Sequence, residues 1–489
     1  MAGSGLSNHP GSGRASPTTI VGEPRSCSGP SEEPERTTAE LPGSQRRQGW
    51  NGEGLTWHAR SMPSPGLFAD LEWRGLVHQW TGPALAALLD DEPVAVYHGV
   101  DPTSDSLHLG SLVGLVALMR FQRAGHRPIA LAGGATGMVG DPSERAEERQ
   151  LLTADVLAAN VEAIRAQLGR FLDFGRGGGS TQALLVDNAE WLGGLGLLAF
   201  LRDTGRYFTV NAMIAKESVK ARLNEREQGI SFTEFSYMLL QAYDFCELFD
   251  RHACRLQVGG SDQWGNITAG IDLVRRRRGV PVYGLTWPLV LRPDGTKFGK
   301  SESGANVWLD ARRTSPYAMY QFLMRTGDAM VGTYLRYYTF RSHDELGALD
   351  QATATQPGRR EAQRALAHDV VALVHGEAEA GRAAHASTVL FTEDIRDLDE
   401  ATLLAVTAEA PCTDLTRSEL DGMAMVDLLV RTGLEPSRGA ARRTIEQGGA
   451  SVNNRKMDVD ATFAVADLIR GRYAIVRKGK SRQHLVRAS

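Results

Sequence analysis

Two lysines, Lys297 and Lys300, stand three residues apart in the loop Gly295-Thr296-Lys297-Phe298-Gly299-Lys300-Ser301-Glu302-Ser303-Gly304. The 489-residue chain carries only 7 lysines against 47 arginines, so this pair runs against the chain's own bias. Two ammonium groups in a Gly/Ser loop suit the neutralising of charge on a leaving pyrophosphate. A second stretch, Tyr97 through Ser111, carries His108-Leu109-Gly110-Ser111. There a glycine lets a phosphate or adenine approach the backbone, a helix N-terminus favours negative charge, and His108 can donate to a phosphate oxygen. The third loop, Gly133-Gly134-Ala135-Thr136-Gly137-Met138-Val139-Gly140-Asp141, is followed by Arg145 and Arg149. It lacks the Gly-Lys-Ser/Thr of a Walker A loop, and a tight strand–helix turn alone would explain either of the last two loops.

The elements that must position these residues alternate in type. Pro93–Val100, Pro128–Gly133, Ala183–Val186, Leu256–Gly259 and Val282–Val290 read as strands, several of them apolar throughout, as in a parallel sheet covered on both faces. Leu109–Gln122, Ala154–Leu172, Phe232–Phe249 and Gln263–Arg277 read as helices. The expected fold is therefore α/β: a Rossmann-like, doubly wound parallel-sheet catalytic domain over 67–310. An α-helical domain over 311–412 and a small α+β domain over 417–489 follow it. Residues 1–66 hold 11 Gly, 8 Pro and 10 Ser and are expected to be a disordered extension, with Met62 as an alternative start.

Charge divides the chain in the same way. The net −4 excludes a uniformly basic nucleic-acid coat, yet residues 417–489 carry +6 and the rest −10. A basic module on an acidic body suits a local anionic partner, most simply RNA. Cys27, Cys246, Cys254 and Cys412 form no Cys-x-x-Cys pair and no zinc spacing, so no metal site is expected. No apolar run is long enough to span a membrane and no secretory leader pattern is visible; cytoplasmic residence is expected.

Taken together and in order, these motifs resemble the bacterial-type tyrosyl-tRNA synthetases, class I aminoacyl-tRNA synthetases. His108-Leu109-Gly110-Ser111 resembles the "HIGH" motif and Lys297-Phe298-Gly299-Lys300-Ser301 resembles "KMSKS". Two tyrosine-specific stretches, Phe232 to Asp244 and Gln257 to Asn266, extend a resemblance running from about Leu71 to Arg487. The resemblance implies that Tyr97 and Asp244 bind the substrate phenol hydroxyl, that Asp141, Tyr237 and Gln241 hold the α-amino group, and that Gln263 meets the carboxylate. Tyr237, Gln241 and Asp244 are spaced i, i+4, i+7, so one helix face could present all three. It further implies ATP contacts from Asp101, His108, Gly110, Gly260, Asp262 and Lys300. The catalytic charge would come from His108, Arg145, Arg149, Lys297 and Lys300, with Mg²⁺ carried by the nucleotide.

The implied activity is tyrosyl-adenylate formation followed by transfer to the 3′-terminal adenosine of tRNA-Tyr, by a homodimer whose interface lies near Phe232. Residues 417–489 resemble an S-four-type RNA-binding fold, with Arg438, Arg442, Arg443, Arg455, Lys456 and Lys478 as candidate phosphate contacts. Three residues depart from the family pattern: Ser111 in place of the second "HIGH" histidine, Gly299 in place of the first "KMSKS" serine, and His98 where cysteine is frequent. The rival readings are a catalytically silent paralogue kept as an RNA-binding or regulatory protein, and a synthetase for a related amino acid. Loss of Lys297, Lys300 or Asp141 would favour the first, and loss of the Tyr97–Asp244 pair the second; all five are present.

Overall fold

The computed structural model describes residues 66–489, except 142–151, 176–180, 217–218, 221–222, 224–229, 293–294, 297, 300–305, 390–394, 397–398, 408–409 and 480–481. Apart from Gly66, the extension expected over 1–66 lies outside the described residues.

Six strands form the first sheet: β1 (Gln79–Trp80), β2 (Ala95–Val100), β3 (Arg127–Ala132), β4 (Leu184–Asp187), β5 (Cys254–Gly260) and β6 (Tyr283–Trp287). Their spatial order is β1-β6-β5-β2-β3-β4, and only the β1–β6 pairing is antiparallel. The five parallel strands are those the apolar runs predict; the two-residue β1 was too short to show as a pattern. From β2 the chain winds outward through β3 and β4, then returns to place β5 on the other side of β2. The reversal leaves a crevice at the carboxyl ends of β2 and β5, where ligands of such sheets bind.

The helices follow their sequence signals. Thr153 and Ser231 cap Ala154–Phe171 and Phe232–His252 by accepting from Val156 N and Glu234 N, and Gly279 at φ +68° stops Trp264–Arg278. Leu112–Arg123 is buried along nearly its whole length, as expected of a helix packed between sheet and neighbours. Beyond it come Pro316–Met324, Asp328–Tyr338, His343–Thr355, Glu361–His375 and Glu377–Val389, whose apolar faces join one core with the sheet domain.

A second sheet closes the chain, in the order β7-β11-β10-β8-β9, from β7 (Cys412–Leu415), β8 (Ala450–Val452), β9 (Arg455–Lys456), β10 (Tyr473–Lys478) and β11 (Arg482–Ala488). Asn453 and Asn454 both have positive φ, as the two-residue turn between β8 and β9 requires. Strand β7 pairs parallel with β11, so this sheet begins at Cys412, ahead of the start expected for the small domain at 417. Only Cys412 falls within the segment expected to be helical, and four strand residues are too few to show as a pattern. Ile469, Tyr473, Ile475 and Leu485 pack with Ala386, Ile395, Leu403 and Val406, joining this sheet to the helices before it. No helix among the described residues is long and apolar enough to cross a membrane.

Candidate active site

Tyr97 lies on β2 and Asp244 on the Phe232–His252 helix, both almost wholly buried. The Tyr97 hydroxyl has no hydrogen-bond partner among the described residues. Burial, reinforced by the Asp244 charge, holds this phenol protonated well above its ordinary range. Asp244 accepts from Trp191 Nε1 at 2.7 Å and from Asn188 Nδ2 at 3.0 Å. Burial nevertheless pushes its carboxyl up to about 7, against the pull of those two donors. A buried hydroxyl without a partner, beside a carboxyl that two donors already orient, can recognise one more polar group.

The predicted helix face continues toward the sheet ends. One turn and two turns back from Asp244 stand Gln241 and Tyr237. Tyr237 donates its hydroxyl to Asp101 Oδ2 at 2.9 Å, and Thr136 donates to Asp101 Oδ1 at 2.8 Å. Gln263 donates from Nε2 to both Asp141 Oδ2 and Asp262 Oδ2 at 2.6 Å, and its Oε1 accepts from Gln241 Nε2 at 3.2 Å. Asn266 donates to Gln241 Oε1 at 2.9 Å. Residues from four separate stretches thus form one polar wall. Asp101 belongs to it through Tyr237, not only to the nucleotide side where the sequence places it.

The turns that the sequence reading assigns to the nucleotide have no room for side chains. A Cβ at Gly133 would meet Asp101 Oδ1, and one at Gly260 would meet Asp262 Oδ1. In the His108 turn, the Ser111 N–H donates to His108 Nδ1 at 3.2 Å, with Ser111 Oγ at 3.4 Å. That bond places the proton of a neutral His108 on Nε2. Gly299 takes φ +96°, and a Cβ there would stand 3.0 Å from Gly110 N, so the departure from serine has a local cause. Next to this turn, His98 Nδ1 donates to the Val258 carbonyl at 3.2 Å, and burial lowers its pKa to about 4. Arg145, Arg149, Lys297 and Lys300 lie outside the described residues.

The six basic candidates of the C-terminal module lie on the Arg438–Glu446 helix, β9 and the end of β10, all in or beside the second sheet. Arg442, Arg443, Arg455 and Lys456 are exposed. Arg438 pairs with Asp427 at 3.2 Å, and Lys478 with buried Glu435 at 2.8 Å. The residues missed by sequence reasoning were Thr136, Asn188, Trp191 and Asn266. Asn188 directly follows the end of β4 and Trp191 lies in the short helix after it, a position that could have flagged them.

A model of the class I tRNA synthetases for tryptophan and tyrosine matches residues 89–392, and one of the tyrosine–tRNA ligase SYY-like C-terminal domain matches 405–486. A tyrosine–tRNA ligase of Roseiflexus castenholzii is 52% identical over 424 residues, covering 86% of this chain and 99% of that protein. The chain belongs to the tyrosine–tRNA ligases. Another such ligase, from Mycobacterium tuberculosis, is 51% identical over 417 residues, 85% of this chain and 97% of its own length. Among solved structures, a C-terminally truncated mitochondrial tyrosyl-tRNA synthetase of Aspergillus nidulans superposes with a TM-score of 0.60 at 33% identity. That match covers 67% of this chain and 95% of the other. As class I enzymes, tyrosine–tRNA ligases take ATP as a substrate.

Proposed function

We propose that the Tyr97–Asp244 end of the pocket receives the phenol hydroxyl of L-tyrosine, and that the reaction runs as follows. Asp141, Tyr237 and Gln241 hold the α-amino group, and Gln263 orients the carboxylate toward ATP. A carboxylate oxygen attacks the α-phosphorus in line, the bond from that phosphorus to the bridging oxygen breaks, and pyrophosphate departs with both electrons. No protein base is needed, because the nucleophile is already ionised. His108, Arg145, Arg149, Lys297 and Lys300 act by charge and position on the phosphates. Asp101, Gly110, Gly260 and Asp262 seat the nucleoside part. A hydroxyl of the 3′-terminal adenosine of tRNA-Tyr then attacks the activated carbonyl, and AMP leaves.

The observation that carries this reading is the buried Tyr97 hydroxyl without a partner. An empty hydrogen bond inside an apolar pocket costs free energy unless a ligand completes it, so phenylalanine is disfavoured. This family is itself the standard illustration of that rule. Among the described residues the phosphate side offers His108 and a glycine turn; Mg²⁺ would be carried by the nucleotide and would screen the charge of its phosphates. The silent-paralogue alternative is not favoured, given ligases at about half identity over nearly their whole length.

Exposed Leu197, Leu198, Val210, Ile214 and Phe232 are an apolar set that a second copy of the chain would cover, which supports a homodimer. The division into 67–310, 311–412 and 417–489, with the +6 module gripping tRNA in the cytoplasm, completes the proposal. Purified protein should exchange pyrophosphate into ATP with tyrosine and not with phenylalanine or tryptophan. Exchange driven better by either of those, or tRNA binding with no exchange at all, would defeat it.

A further inference from the structure

Phe298, between the two loop lysines in sequence, is held by residues of two helices that follow the sheet domain in the chain. Its ring centroid lies 4.0 Å from that of Tyr334, 5.3 Å from Phe322 and 5.9 Å from Tyr338. These three belong to Pro316–Met324 and Asp328–Tyr338. Tyr338 is wholly buried, and its hydroxyl donates to the Leu109 carbonyl at 3.2 Å. Leu109 N–H donates to the Val307 carbonyl at 2.8 Å, and Val307 N–H to the Gly299 carbonyl at 2.6 Å. The contacts close on themselves: Tyr338 to Leu109, Leu109 to Val307, Val307 to Gly299, and through Phe298 back to Tyr338.

Packing alone does not explain the hydroxyl. Phenylalanine would fill the same cage without burying a polar atom, and the Leu109 carbonyl already accepts from Leu112 N–H. What the hydroxyl adds is a fixed distance between the His108 turn and the Phe298–Gly299 backbone. We propose that Tyr338 is a positioning residue for tyrosine activation, holding these two segments at one mutual spacing while touching neither substrate. The inference rests on the proposed phosphate roles of the His108 turn and the lysine loop.

The test is Tyr338→Phe, with kcat for tyrosine-dependent ATP–pyrophosphate exchange expressed per active site, the sites being counted by the pyrophosphate burst. The expected result is a fall of about 3- to 10-fold in kcat per site, the range one hydrogen bond spans. The KM for tyrosine and its equilibrium binding without ATP stay unchanged. Phe298→Leu loosens the same ring from the other side, and the double variant should lose less than the product of the two single losses. A kcat per site within twofold of the unaltered chain, or a loss confined to the number of active sites, overturns the assignment. Lys297→Ala and Lys300→Ala separate the two levels. If they leave exchange at full rate, the phosphate role of the lysine loop fails; if they slow it while Tyr338→Phe does not, only the positioning role fails.

Discussion

At the scale of single residues, the pocket stores a cost that a tyrosine bound as proposed would relieve. Tyr97→Phe removes an unpartnered buried hydroxyl, so the ligand-free chain should gain about 1 kcal/mol and melt later in calorimetry. The same change should lower kcat/KM for tyrosine by roughly fivefold and narrow its lead over phenylalanine, read by exchange with each amino acid. In the proposed role, Asp244 should make binding depend on pH. Its carboxyl rises from an ordinary 3.8 to about 7 in the folded chain, so the folded state holds this proton more tightly than the unfolded one. Its contribution to stability therefore falls as pH rises from about 4 to about 7, and is level above that. The protonated carboxyl is the poorer acceptor for a phenol, so kcat/KM for tyrosine should drop as pH falls below about 7. Trp191→Phe removes a donor to the ionised form and should move that limb to higher pH. A profile flat between pH 6 and 8 in both proteins would contradict the assignment. Motif order pointed to Tyr97 and Asp244 but not to Asn188 and Trp191, which donate to the Asp244 carboxyl and oppose the rise that burial causes. They are distant in sequence, and their bonds exist only once β4 lies beside β3.

At the scale of elements, spacing and packing divide the work. The i, i+4, i+7 pattern was enough to put Tyr237, Gln241 and Asp244 on one face, because helical periodicity is local. The glycine of the neighbouring helix has a cause that sequence could not show. A Cβ at Gly114 would stand 2.6 Å from His98 Nε2 and 3.0 Å from the Trp287 ring, while the Val258 carbonyl pins the imidazole from the other side. Glycine to alanine inside a helix ordinarily stabilises by about 1 kcal/mol. Here Gly114→Ala should instead destabilise by about 1–3 kcal/mol through overpacking, and His98→Ala in the same chain should recover most of it. Urea unfolding of the two single variants and the double one checks this; a more stable Gly114→Ala protein would refute it.

At the scale of the molecule, charge and exposure sort the surface. Lys478 neutralises Glu435, whose side chain is only 3% exposed, so Lys478→Ala should lower stability more than RNA affinity. Arg442, Arg455 and Lys456 are exposed; replacing all three with alanine should weaken tRNA binding and flatten its dependence on log salt by up to about three counter-ions, without shifting the melting temperature. Filter binding across a salt series distinguishes the outcomes, and an unchanged salt slope would remove these residues from the interface. Phe232 is 77% exposed at the start of the pocket helix. Phe232→Asp should turn a dimer into a monomer by sedimentation; a monomer before the change, or a dimer after it, would contradict the proposed interface.

Order and local spacing by themselves determined the family, the alternating α/β plan, the parallel strands and the helix face of the pocket. Each depends on neighbours within a few residues or on motifs read in sequence. The tertiary structure alone decided that β5 returns beside β2, that Asp101 bonds Tyr237, and that Cys412–Leu415 joins the last sheet. It also decided that Tyr338 reaches Leu109 across 229 positions. Such contacts are set by how layers pack and in what register, and no local pattern encodes them.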